Sequence, residues 1–173
     1  MIYDSNSLEM ILQNQHPVYQ FFDDVDLQDI KEFVVRRHRR NGSEVCIHEL
    51  GVGHYRFDFV SLNPYSHKIR IFEYKVSKAD FLGDCKWRGY LGYCTTFSFV
   101  TPLGLVSLVD LPKGVGLLQV FRWRRRVQQD QRRYLGAIWV RRPGGRKLPE
   151  DTYRQVADMM LARLVQGRKD DFF

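Results

Sequence analysis

Apolar positions along the chain fall into two periods. Leu27, Ile30 and Val34 recur at three- and four-residue spacing, which predicts a helix capped by Asp26 and stopped at Asn41-Gly42. Three strand-like runs follow, Glu44–Leu50, Tyr55–Leu62 and Lys68–Val76, rich in aromatic and β-branched residues. Gly51-Val52-Gly53 and Asn63-Pro64-Tyr65-Ser66 separate them as turns, so an antiparallel meander is expected. Ser77, with Asp80 three residues on, matches a capping box, and the helix it opens is expected to reach about Tyr93. That helix contains Gly83, Gly89 and Gly92; each costs about 1 kcal/mol against alanine, which predicts close approach to a sheet. Thr95–Thr101 reads as a strand parallel to the one before the helix. Val115–Trp123 and Tyr134–Val140 read as a hairpin. A last helix from about Glu150 to Gln166 carries Val156, Met159, Met160 and Leu164 as an apolar stripe, suited to core or to a homodimer contact. A short helix with Ser7 as its cap and Leu8, Ile11 and Leu12 on one face is expected before Pro17.

Three charged residues interrupt the apolar strands. Asp58 lies in the second run, and Glu73 and Lys75 lie in the third, where period two puts both on one face. The segment IRIFEYKV is apolar on both faces, as an inner strand is, and charges there need partners. Two carboxylates completed by a carbonyl and waters match the hard oxygen coordination of Mg²⁺. Such an ion binds a scissile phosphate, stabilises its developing charge and lowers the pKa of an attacking water. Lys75 is placed to orient that water or to stabilise the phosphorus centre. The plainer alternative is a solvent-facing Glu-Lys pair on a half-exposed strand.

Composition narrows the class. With 173 residues, 44% apolar and 14% aromatic, the chain suits one folded domain, divided as residues 1–25 (an N-terminal extension), 26–121 (the core) and 122–173 (a basic hairpin and helix). The start, MIYDSNSLEM, lacks the charge and apolar run of a signal peptide, and no stretch is long and apolar enough for a membrane helix, so a cytoplasmic protein with no membrane partner is expected. Cys46, Cys85 and Cys94 show no paired spacing, and Cys46 with His48 offers too few ligands for zinc.

The net charge of +7 is unevenly spread. Residues 1–30 hold six acids and no lysine or arginine, which leaves 27 cations against 14 acids, or +13, on the rest. A polyanionic partner fits this balance. Arg36, Arg37, His38, Arg39 and Arg40 close the first long helix, favoured either by its carbonyl end or by phosphates. Arg122, Arg124, Arg125, Arg126, Arg132 and Arg133 crowd the hairpin with Trp123 and Tyr134 among them, a plausible backbone-directed DNA surface or else a solvated basic hairpin.

Asp58, Glu73 and Lys75, in this order of elements, resemble the PD-(D/E)XK nuclease superfamily. More closely, Glu49, Arg56-x-Asp58 and FEYKVSKADFLGDCKWRGYLGYCTTFSFVTP resemble the MmcB-like DNA repair family, over about residues 44–121. Phe57 stands where the superfamily's proline would fall, and a single arginine, Arg56, precedes the acid where the family often has two. The resemblance implies an α/β, restriction-endonuclease-like core (helix, three-strand meander, helix, strand) followed by a C-terminal β-hairpin and helix. It implies a Mg²⁺- or Mn²⁺-dependent DNA endonuclease of repair or recombination. Asp58 and Glu73 would hold the metal, Lys75 would serve the reaction, and Glu49 would assist or be a further ligand. Glu49 is equally a charged residue at a strand end.

Arg56, Lys86, Tyr90 and the hairpin arginines would hold DNA. Lys86 and Tyr90, four apart, are expected on one helix face, while Asp84 either holds Lys86 or joins the site. The rival is a nucleic-acid-binding protein that keeps the fold without hydrolysis. A transcription factor is disfavoured, because no helix-turn-helix is evident.

Overall fold

The computed structural model describes residues 10–11, 13–16, 18–39, 42–126 and 132–166. Its elements are β1 (Tyr19–Phe22), α1 (Leu27–Arg39), β2 (Val45–Val52), β3 (Tyr55–Asn63), β4 (Lys68–Tyr74), α2 (Lys78–Gly83), α3 (Trp87–Tyr90), β5 (Thr96–Pro102), β6 (Gly116–Arg125), β7 (Tyr134–Arg141) and α4 (Glu150–Val165). All seven strands form one mixed sheet. β2, β3 and β4 make the expected antiparallel meander, and β4, β5 and β6 run parallel. β7 returns antiparallel along β6.

Helices cover both faces of this sheet. On one, Ile30 and Val34 of α1 pack against Phe59, Phe72, Tyr74, Val100 and Leu118. On the other, Phe81, Trp87 and Tyr90, with Val156 and Met160 of α4, close over Ile69, Ile71, Phe97 and Phe99. Adjacent residues of β4 therefore feed opposite cores, as its two-sided apolar sequence requires. In α4 the inward stripe is Val156, Met160 and Leu164, whereas Met159 is exposed.

Several elements differ from expectation. Of the first short helix, Met10 and Ile11 are helical, Gln13 and Asn14 form a turn with Asn14 at a φ of +52°, and residues 1–9 and 12 lie outside the described residues. Residues 19–22, expected within an extension, form β1 and pair with Arg122–Arg125 of β6. Four residues are too few for a periodic signal, and their aromatic packing is supplied by distant Phe121 and Trp123.

The expected helix from Ser77 to Tyr93 breaks after Gly83. Asp84 is extended (φ −80°, ψ 108°), and its Oδ1 accepts the Lys86 amide at 2.8 Å, a local turn that competes with the helix. Ser77 caps α2 by accepting the Asp80 amide at 3.1 Å. Of the glycines, Gly83 and Gly92 have open space, and only Gly89 meets a close neighbour, the Tyr55 ring.

Candidate active site

β2 and β3 change phase together at one rung. Ile47 and Leu50 face the same core, as do Val60 and Phe57, although strict alternation would put the members of each pair on opposite faces. The ladder pairs His48 with Phe59 and Leu50 with Phe57, and omits Glu49 and Asp58 between them. Glu49 carries the strain, with φ at +53°. Pairing of β3 with β4 begins at Phe59 and Phe72, so Asp58 lies just past its end, opposite Glu73 if the same register continues. There the Asp58 carboxylate accepts the Tyr74 amide at 2.8 Å, where a ladder bond would otherwise lie.

A cleft of about 300 Å³ opens at this gap, lined by Leu27, Lys31, Glu49, Asp58, Tyr74, Lys75, Val76 and Asp80. Glu73 lies beside it, 6% exposed, and Lys75 is equally buried. The Lys75 ammonium is 2.8 Å from Asp84, 3.4 Å from Glu73 and 3.5 Å from Asp80. The other Glu73 oxygen, Oε2, is buried without a hydrogen-bond partner. An ionised carboxylate in that state is costly, and it titrates accordingly. Burial first, and the Asp58 charge second, push Glu73 up to about 8. Asp58 is raised too, chiefly by burial, with the Tyr74 amide, Lys75 and Lys31 opposing. Burial alone would favour neutral Lys75, but the bond to Asp84 and the charges of Glu73, Asp84 and Asp80 outweigh it and hold the lysine above its ordinary range.

The expected site residues separate into groups. Asp58, Glu73 and Lys75 come together. The Glu49 carboxylate pairs with Arg56 and lies 3.8 Å from Lys31. Among the described residues no group of three or more His, Cys, Asp or Glu side chains is gathered to hold an ion, and the Glu49 carboxylate is engaged by Arg56 and Lys31.

Lys86 and Tyr90 differ sharply in exposure. Lys86 is exposed at the helix break, whereas Tyr90 is 3% exposed and packs edge-on against Tyr55 and Phe57. Its ring is core, not a stacking surface for bases. Sequence reasoning left Asp84 undecided and missed Lys31 and Asp80. Alternation points to strand positions, whereas these three come from helices or turns folded over the strand ends.

The hairpin arginines are largely engaged within the chain. Arg122 makes two bonds to Asp29, at 2.6 and 2.7 Å, and Arg133 pairs with Asp24 while stacking 4.1 Å over Phe22. Arg124 reaches Gln20 at 3.0 Å, and Arg126 bonds the carbonyls of Asn14, His16 and Tyr19. Arg125 is exposed, as is Arg132. The acidic opening segment thus neutralises part of the basic hairpin. Within the arginine-rich end of α1, His38 is buried and bonded to Glu44, which also accepts from Ser61 at 2.7 Å and from Arg70.

These features define a three-layered α/β protein with a carboxylate- and lysine-lined cleft where the meander meets the parallel half of its sheet. The chain belongs to the MmcB-like family: the family model described as DNA repair protein MmcB-like matches residues 12–170. No curated protein matches it. Among solved structures it is similar to the SPO1766 protein of unknown function from Silicibacter pomeroyi, at 24% identity and a TM-score of 0.62, covering 83% of this chain and 89% of that one. That likeness is one of fold. No helix among the described residues is long and apolar enough to cross a membrane.

Proposed function

We propose that the protein is a Mg²⁺- or Mn²⁺-dependent DNA endonuclease acting in repair, built on a restriction-endonuclease-like core. One observation carries the reading: Glu73, buried beside Asp58, has an oxygen without a partner and is pushed up to about 8. Two repelling carboxylates in a cleft call for a cation, and oxygen donors suit a hard divalent one. The local charge agrees. Asp58, Glu73, Asp80 and Asp84, when ionised, face Lys31 and Lys75, leaving two negative charges for a divalent ion to balance. Two protein carboxylates suffice for Mg²⁺, which commonly completes its shell with water and substrate phosphate.

Asp58 and Glu73 would hold the ion, whose contribution is to neutralise charge on the phosphodiester. In hydrolysis a water oxygen bonds to phosphorus as the bond to the leaving oxygen breaks, and the proton that water gives up passes through solvent to that leaving oxygen. Lys75, held protonated, serves as a fixed cation for the charge that develops and not as a base. Glu49 holds Arg56 and Lys31 at the rim, where both meet the DNA backbone. Lys86 extends that contact.

The second reading, a non-catalytic nucleic-acid binder, is favoured by the lack of a three-ligand cluster among the described residues. Cleavage of plasmid, flap and fork DNA with Mg²⁺ or Mn²⁺ separates the two. The nuclease reading expects cutting that Glu73→Ala abolishes and that Lys75→Ala lowers by about 10³-fold. Cutting that survives both substitutions sinks this site, and tight binding without cutting in either metal selects the binder.

A further inference from the structure

The two oxygens of Asp84 do different work. Oδ1 accepts the Lys86 amide at 2.8 Å and sets the turn between α2 and α3. Oδ2 receives the Lys75 ammonium, also at 2.8 Å, and both side chains are only 7% exposed. The other carboxylates around Lys75 are farther off: Glu73 at 3.4 Å and the half-exposed Asp80 at 3.5 Å. We propose that Asp84 is a positioning residue, which fixes the Lys75 ammonium beside Glu73 from the turn that breaks the helix. The inference rests on the hydrolytic reading of the cleft for its consequence and on contact geometry for its existence.

A lysine has many rotamers, and a single short ion pair inside the protein selects among them. Without Asp84, the nearest buried carboxyl left to Lys75 is Glu73. An ammonium settling there occupies the carboxylate that would take the metal. Asp84 therefore aims the lysine and also leaves Glu73 available.

Asp84→Asn separates the two jobs, since an amide oxygen can still accept from Lys86 while the negative charge is gone. The expected variant stays folded, with a melting temperature lowered by the loss of Lys75's closest partner, and binds DNA with unchanged Kd in Ca²⁺. Its kcat falls by about 10²-fold, the scale of a misplaced reacting group, with KM held within about 2-fold. Placed on Lys75→Ala, it adds no further loss, because it acts through that lysine.

A kcat kept within about 3-fold, or losses that multiply in the double variant, overturn the proposal. A crystal structure of Asp84→Asn decides the matter independently of cleavage. A displaced Lys75 ammonium supports the proposal, and an unmoved one overturns it. Wild-type protein that cuts no substrate sinks the hydrolytic reading alone and leaves the crystallographic result to judge Asp84.

Discussion

Replacing Glu73 with glutamine should stabilise the metal-free protein, by an amount that grows with pH. Glu73 ionises near 4.5 in an ordinary setting and near 8 in the fold, with burial the larger cause and Asp58 the next. Between those values the native state binds a proton that the unfolded state has lost, so stability falls as pH rises. Below that window both states are protonated and the penalty vanishes; above it the penalty levels off. Inside it the slope is about 1.4 kcal/mol per pH unit, which reaches about 3 kcal/mol at pH 7. Glutamine keeps the shape and does not ionise, so Glu73→Gln should escape the slope. Urea unfolding in EDTA from pH 4.5 to 8.5, run on both proteins, measures it. The gap between them should open from near zero at the acid end. Mn²⁺, which favours the ionised pair, should narrow or reverse that gap. Parallel stability curves would refute the reasoning, and the case for a cation between Asp58 and Glu73 would go with it.

Three further outcomes are expected. Glu44→Ala strips the acceptor from His38, Ser61 and Arg70 and should cost about 3–5 kcal/mol in denaturant titrations. Burial alone would raise the Glu44 carboxyl, but His38, Ser61 and Arg70 together depress it, so its stabilising share is present above the ordinary 4.5 and should be lost as pH falls through the lower native value. Gly89→Ala puts a methyl into overlap with the Tyr55 ring and should destabilise by about 1–3 kcal/mol, read as a lower melting temperature. Asp29→Asn releases Arg122, and the salt dependence of DNA binding by fluorescence anisotropy should steepen by about one unit of slope. An unchanged slope would place that arginine away from the nucleic acid.

Local pattern carried most of the fold. The meander, the parallel strand after Ser77 and the hairpin follow from alternation and turn residues, all of which act within a few positions. The facing of Glu73 and Lys75 likewise follows from period two. What escaped depends on distant partners or on one residue overriding its neighbours. Arg122 meets Asp29 from 93 positions away, so the acidic opening and the basic hairpin read as separate charge blocks until they are folded together. Asp84 ends a helix whose flanking residues would otherwise continue it, through a local bond to the Lys86 amide and a contact with Lys75 on a neighbouring strand end. Tyr90 fits a binding face by spacing alone, yet distant Tyr55 and Phe57 enclose its ring.

The shared phase change at Glu49 and Asp58 limits how this region can be edited. Each strand is out of step with itself across that rung, yet the two stay in register because both slip there. Deleting Glu49 alone would restore regular alternation in β2 while β3 kept its kink, and either Ile47 or Leu50 would lose its matched neighbour. A lone insertion or deletion on one strand therefore turns half a core outward, whereas compensating changes on both can be absorbed. The acid pair is held by a length constraint as well as by chemistry. Libraries that vary residue identity here keep the scaffold, and those that vary segment length must change the two strands together.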